Sequence, residues 1–129
     1  MILIDTSAWI EFFRRKGNPG IKTRVRDLIA DRQAAYTCPV AFELFAGARK
    51  EEVEDLRTGL SLAIRTTLLP EDWDAAGTLA SIMLGKGIRI PPSDVLIAIA
   101  ATRTAMPILT TDSHFTLLKK QFLPDLPLA

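Results

Sequence analysis

Short apolar runs alternate along this chain with longer stretches of helical periodicity. Ile2 to Ile4 is too brief for a helix and reads as a strand, and Trp9, Phe12 and Phe13 follow it at helical spacing. After an Asn18-Pro19-Gly20 break, Ile21, Val25, Leu28 and Ile29 recur on one face of an amphipathic helix. Ala35 to Cys38 reads as a short strand stopped by Pro39, with helices over Val40 to Gly47 and Glu51 to Leu62. β-Branched residues make Ile64 to Leu69 a strand. Pro70 then opens a helix carrying Trp73, Ala76, Leu79, Ala80 and Met83 on one side and ending near Gly85 and Gly87.

Pro91-Pro92-Ser93-Asp94 is a helix start, because proline suits the first turn and Ser or Asp can accept the free backbone N–H groups there. That helix runs to about Ala105. Val95 to Ala101 is apolar all round, which predicts a helix buried on most sides. Pro107 to Thr110 reads as a further strand and Ser113 to Lys120 as a further helix. Strands alternating with helices predict an α/β fold, a parallel sheet covered on both faces through right-handed crossovers. No linker or repeat interrupts the pattern, so residues 1–129 are expected to form a single domain.

A net charge of +1 excludes the strongly basic character that by itself announces a nucleic-acid binder. The Arg14-Arg15-Lys16 and Lys119-Lys120 clusters read most simply as solvated helix ends, with nucleic-acid contact as the alternative. Cys38 is the only cysteine and His114 the only histidine, which excludes an intrachain disulfide and a zinc site of several Cys or His ligands. A nuclease using one histidine as base and a second as acid is excluded too, so phosphodiester cleavage would need carboxylates and a metal. The opening apolar run is too short for a signal peptide, and Val95 to Ala101 is far below the ~20 residues of a membrane span. The expectation is a soluble cytoplasmic protein that does not engage a membrane.

Asp5 and Asp112 each follow a strand and precede a helix, which places both at the carboxyl ends of parallel strands, where open α/β sheets bind ligands. Asp94 opens the apolar helix before the Asp112 strand and is expected at the same edge. Glu43 interrupts the apolar segment Val40 to Ala46 and needs a cation, a hydrogen-bond donor or solvent, with Arg49 one available partner. Taken singly, the three aspartates also suit ordinary helix N-termini. Together, converging carboxylates with no lysine or arginine beside them suit a hard divalent cation, Mg²⁺ or Mn²⁺, and phosphoryl chemistry.

The opening Met1-Ile2-Leu3-Ile4-Asp5-Thr6-Ser7-Ala8-Trp9-Ile10, Glu43-Leu44 with Gly47 close behind, Asp94-Val95-Leu96-Ile97-Ala98, and Leu109-Thr110-Thr111-Asp112-Ser113-His114-Phe115 resemble a PIN domain, most closely the VapC toxins of toxin–antitoxin pairs. The resemblance spans nearly the whole chain in order. It implies a Mg²⁺- or Mn²⁺-dependent endoribonuclease, a homodimer, inhibited by a small VapB-type antitoxin. Asp5, Glu43, Asp94 and Asp112 fall on the family's acidic positions, with Asp5, Asp94 and Asp112 as metal ligands. Thr6 or Ser7, and Thr110 or Thr111, fall where relatives place hydroxyls that bind metal-bound water or orient an acid. His114 stands where many relatives carry a further acid, and reads either as a metal or phosphate contact or as a packed, hydrogen-bonded histidine.

Rival readings fit less well. A receiver-like Mg²⁺-binding signalling domain wants adjacent acids after the first strand and a late-strand lysine, but Thr6-Ser7 follow Asp5 and Thr110-Thr111 end the last strand. A haloacid-dehalogenase-type phosphatase wants a second Asp where Ser7 stands. A catalytically silent PIN-like binding module would retain all four acids and is the remaining alternative.

Overall fold

A computed structural model describes residues 1–129. Its elements in chain order are β1 (Ile2–Ile4), α1 (Thr6–Phe13), α2 (Pro19–Ala30), β2 (Ala34–Thr37), α3 (Cys38–Gly47), a 3-10 turn (Lys50–Glu52), α4 (Val53–Ser61), β3 (Ile64–Thr66), α5 (Pro70–Gly85), α6 (Pro92–Thr104), β4 (Ile108–Leu109) and α7 (His114–Gln121). The strands form one parallel sheet in the order β3-β2-β1-β4, with Leu3 opposite both Ala35 and Ile108, and Ile4 opposite Leu109. The terminal segment adds a bridge from Leu128 to Ile108.

This order decides where a site can form. From β1 the chain steps one way to β2 and β3, then returns past β1 to β4. With right-handed crossovers the early helices cover one face and α5 and α6 the other. Most helix contacts follow that division, with α1 packed on α2 and α3 and α6 packed on α5 and α7, whereas α3 meets α6 across it. The carboxyl ends of β1 and β4 therefore flank the point where the winding changes direction, the crevice that open parallel sheets use for ligands.

The core explains the local choices. Leu3, Ile4, Trp9, Val25, Val95, Ile97, Ile108, Phe115 and Leu118 are all buried in one cluster. Trp9 stacks on Phe13 at 5.7 Å between centroids and meets Tyr36 edge-on at 6.4 Å, which pins α1 to β2. Six of the seven residues of the apolar run Val95 to Ala101 are buried, as expected of a helix covered on most sides. Asp72 on α5 is buried and takes a two-pronged pair from Arg103 on α6, at 2.8 Å on each oxygen. That pair locks α5 to α6, the helix that carries Asp94.

Several expectations shift. Pro39 lies inside the first turn of α3, so the second strand is Ala34–Thr37 and Cys38 is already helical. The third strand ends at Thr66, because beyond it the chain leaves an edge position for the start of α5. The helix expected from Glu51 begins instead as a 3-10 turn. Trp73 is 57% exposed although it shares a helix with buried Ala76, Leu79 and Met83.

Candidate active site

The backbone ladder between β1 and β4 runs one residue past β1, with the Asp5 amide donating to the Leu109 carbonyl at 3.0 Å. Asp5 and Thr110 are thereby set side by side. Asp5 caps α1 and is 2% exposed. Its Oδ2 accepts from the Ser7 hydroxyl at 2.8 Å and the Thr110 hydroxyl at 2.9 Å, with a longer bond from the Ser7 amide. Those two hydroxyls in turn accept the amides of Thr111 and Asp112, each at 2.9 Å. One oxygen of Asp5 thus ties down the loop after β4. The other, Oδ1, is buried and has no hydrogen-bond partner.

Asp94 lies in the first turn of α6 and does not cap it. The sequence expectation of a capping Ser93 or Asp94 is corrected here, since Pro91 occupies the cap position and the Asp94 carboxylate turns to His114 instead. His114 Nδ1 lies 2.8 Å from Asp94 Oδ2 and 3.0 Å from Asp112 Oδ1. Between two ionised carboxylates the protonated, donating form of Nδ1 is the favoured one. Asp112 Oδ1 also accepts the His114 amide at 2.9 Å, which orients it at the start of α7. Ligand atoms of Asp94, Asp112 and His114 all fall within 4.8 Å of one another.

The electrostatics follow from this crowding. Burial pushes the Asp94 carboxyl up to about 6, the negative charges of Asp5 and Asp112 push the same way, and the hydrogen bond with His114 opposes them. That same bond holds His114 above its ordinary range against partial desolvation, with the Asp112 charge adding to it. The imidazole is thus the group that faces both acids of this pair.

Glu43 stands beside the cluster on α3. Thr6 donates to its Oε1 at 2.9 Å, so the partner that its apolar setting demanded is a hydroxyl, and Arg49 turns to Glu51 and Glu52 instead. An apolar groove of about 580 Å³ opens next to Glu43, lined in part by Phe42, Trp73 and Leu96.

The paired alternatives for hydroxyl roles divide cleanly. Thr6 serves Glu43, Ser7 and Thr110 serve Asp5, and Thr111 contributes its amide while its side chain makes no hydrogen bond. Thr37, at the carboxyl end of β2, is buried with an unpartnered hydroxyl, and nothing in the sequence pattern had singled it out.

A family model for the PIN domain matches residues 2–121. Ribonuclease VapC11 of Mycobacterium tuberculosis and VapC ribonuclease Mb1587 of Mycobacterium bovis are each 34% identical to this chain, the match covering 93% of it and 92% of them. Among solved structures, DNA-bound VapBC from Salmonella typhimurium superposes with a TM-score of 0.78 at 17% identity, covering 100% of this chain and 98% of that one. VapBC2 from Rickettsia felis bound to a DNA fragment from its promoter gives 0.73 at 20% identity, covering 100% and 98%. At such identities the structures speak to the fold alone.

Proposed function

This chain belongs to the PIN domain family, and from that premise we propose that it is a divalent-metal-dependent endoribonuclease, the toxin of a VapBC-type toxin–antitoxin pair. The observation that carries the reading is a buried Asp5 oxygen that no protein group satisfies, together with Asp94 and Asp112, which offer ligand atoms within 4.8 Å of one another and whose shared crowding with Asp5 is felt at Asp94. An orphaned carboxylate oxygen in such a place fits a metal ligand, because leaving it dry and unpaired costs free energy. An all-oxygen acidic donor set favours Mg²⁺ or Mn²⁺.

Asp5, Asp94 and Asp112 would hold the ion, which when bound supplies an activated water and neutralises charge on the scissile phosphate. The chain's own groups set the stage. Ser7 and Thr110 fix the Asp5 carboxylate through one oxygen and leave the other for the ion. Thr6 holds Glu43 by one oxygen, so that its second oxygen is available to accept a proton from the attacking water. His114 keeps Nδ1 on the acids, and its other ring nitrogen, which makes no hydrogen bond within the protein, can donate to a phosphate oxygen when the ring is protonated.

The relatives named as VapC ribonucleases support RNA as substrate, and kinship with VapC proteins makes a VapB-type antitoxin the partner in this reading. We take the whole chain as one catalytic domain acting as a homodimer in the cytoplasm. No helix is long and apolar enough to cross a membrane. The reading is tested by incubating purified wild type and Asp5→Asn with RNA in Mg²⁺, in Mn²⁺ and in chelator, beside a mock preparation. Cleavage should require metal and fall at least 100-fold in the folded variant. Equal cleavage by both, or by the mock preparation, would refute it.

A further inference from the structure

At the far end of α1 from Asp5, the chain carries a concentration of positive charge for which the acidic site has no use. Residues 14–32 hold seven Lys or Arg against two Asp, whereas the whole chain has a net charge of only +1. An open groove of about 670 Å³ lies at the α1–α2 turn, lined by Arg15, Lys16, Lys22 and Arg26 with Phe12 and Gly17 among its other walls. No acidic residue lines it. Arg15 and Lys16 are exposed and unpaired, and Arg26 has only its exposed neighbour Asp27 at 3.7 Å.

The turn that displays these cations is tightly built. Lys22 Nζ donates to the carbonyls of Phe12 and Arg14, both at 2.7 Å, so it secures the end of α1. Asn18 caps α2 through its side chain and donates its amide to Glu11 at 2.7 Å. A Cβ on Gly17 would collide with the Glu11 carbonyl, which explains the glycine there. Like charges gathered on a fixed frame repel one another, and the exposed Arg14–Glu11 and Arg26–Asp27 pairs offset that cost only weakly.

We infer that the α1–α2 groove is a second RNA-binding site, which holds the phosphodiester backbone of the substrate at a distance from the bond that is cut. The inference rests on the ribonuclease reading for its ligand. A polyanionic backbone presents charge at regular intervals to exposed Arg and Lys and needs no apolar pocket. An acidic peptide would need hydrophobic anchors for comparable affinity, and only one hydrophobic residue lines this groove. The eight residues of α1 span about 12 Å, so phosphates a few nucleotides from the acidic site can reach it.

The test is binding of a fluorescent single-stranded RNA of about 20 nucleotides, in chelator, to the full chain and to an Arg15→Gln, Lys16→Gln, Arg26→Gln variant. Lys22 is left intact because it holds the turn. The variant, folded by circular dichroism, should bind about 10- to 100-fold more weakly at ~0.1 M salt. Its dependence of log K on log salt should be shallower by about 2, near 0.7 for each lost phosphate contact. In Mg²⁺, KM should rise by a similar factor with kcat unchanged. A Lys50→Gln, Arg57→Gln, Arg89→Gln control loses the same charge from exposed positions elsewhere and should bind RNA within about 3-fold of wild type. Wild-type affinity and salt slope in the groove variant, equal loss in the control, or no binding by the wild type would overturn the inference. So would an oligo-glutamate peptide binding the groove as tightly as RNA does, which would assign it to an acidic protein segment. Because the binding arm involves no cleavage, failure of the ribonuclease reading would show separately, in the Mg²⁺ arm.

Discussion

Replacing Asp94 by Asn should raise the melting temperature of the metal-free protein at neutral pH. Asp94 is 6% exposed and its carboxyl is pushed from 3.8 up to about 6. Between those values the folded protein holds a proton on this group that the unfolded chain has released, so stability falls as pH rises from about 4 to about 6 and stays low above. A shift of roughly two units corresponds to about 3 kcal/mol at pH 7. Asn avoids that cost but gives up a favourable charge at the helix N-terminus, about 0.3 to 1 kcal/mol. It also removes the strongest partner of His114, whose raised pKa contributes stability that is lost as pH rises through it. A net gain of about 1 to 2 kcal/mol remains, a rise of roughly 3 to 10 °C for a domain of this size. The gain should fade as pH falls through about 6 and vanish near pH 4, where the wild-type carboxyl is protonated in both states. Saturating Mg²⁺ should reverse the order, since a ligand at about 100 times its Kd stabilises the wild type by about 2.7 kcal/mol and the variant far less. Thermal melts of both proteins in chelator at about pH 7 and pH 4, and in Mg²⁺, read all three effects. A lower melting temperature for Asp94→Asn in chelator at pH 7, with both proteins shifted equally by Mg²⁺, would refute the reasoning.

Thr110→Val removes a donor to Asp5 and leaves the Asp112 amide without its acceptor, so urea melts should show a loss of about 1 to 3 kcal/mol. Metal-dependent cleavage should fall about 10- to 100-fold, whereas Thr111→Val, which removes no side-chain hydrogen bond, should stay within about 0.5 kcal/mol of wild type. Gly17→Ala forces the α1–α2 turn away from the Glu11 carbonyl and should cost about 1 to 3 kcal/mol by the same melts, and a variant as stable as wild type would show that the turn is not the rigid frame described.

Much of this site was readable because strand ends are marked in the chain. Asp5 and Asp112 each follow an apolar run too short to be anything but a strand, and parallel pairing leaves such residues at one edge. Glu43 stood out as a charge inside an apolar helix. What periodicity could not supply was side-chain direction across the fold. The choice between Thr110 and Thr111 depends on which hydroxyl faces Asp5 across β1 and β4, a matter of register between residues more than 100 positions apart. His114 shows the same limit, since its bond to Asp94 requires α6 and α7 to meet at the sheet edge. The exposure of Trp73 was hidden for a different reason, because a helical stripe predicts a packed side but not how far the packing extends. Pro39 misled by one residue, since proline ends a strand and begins a helix with equal ease.

The central claim is that Asp5, Asp94 and Asp112 are ligands of one ion, and equilibrium binding of Mn²⁺ to the purified protein tests it without relying on cleavage. Wild type should bind Mn²⁺ saturably. Asp5→Asn, Asp94→Asn and Asp112→Asn, each verified as folded, should each weaken that binding at least about 10-fold, and Asp74→Asn on the exposed face of α5 should leave it unchanged. Undiminished Mn²⁺ binding in all three site variants, or none in the wild type, would contradict the account.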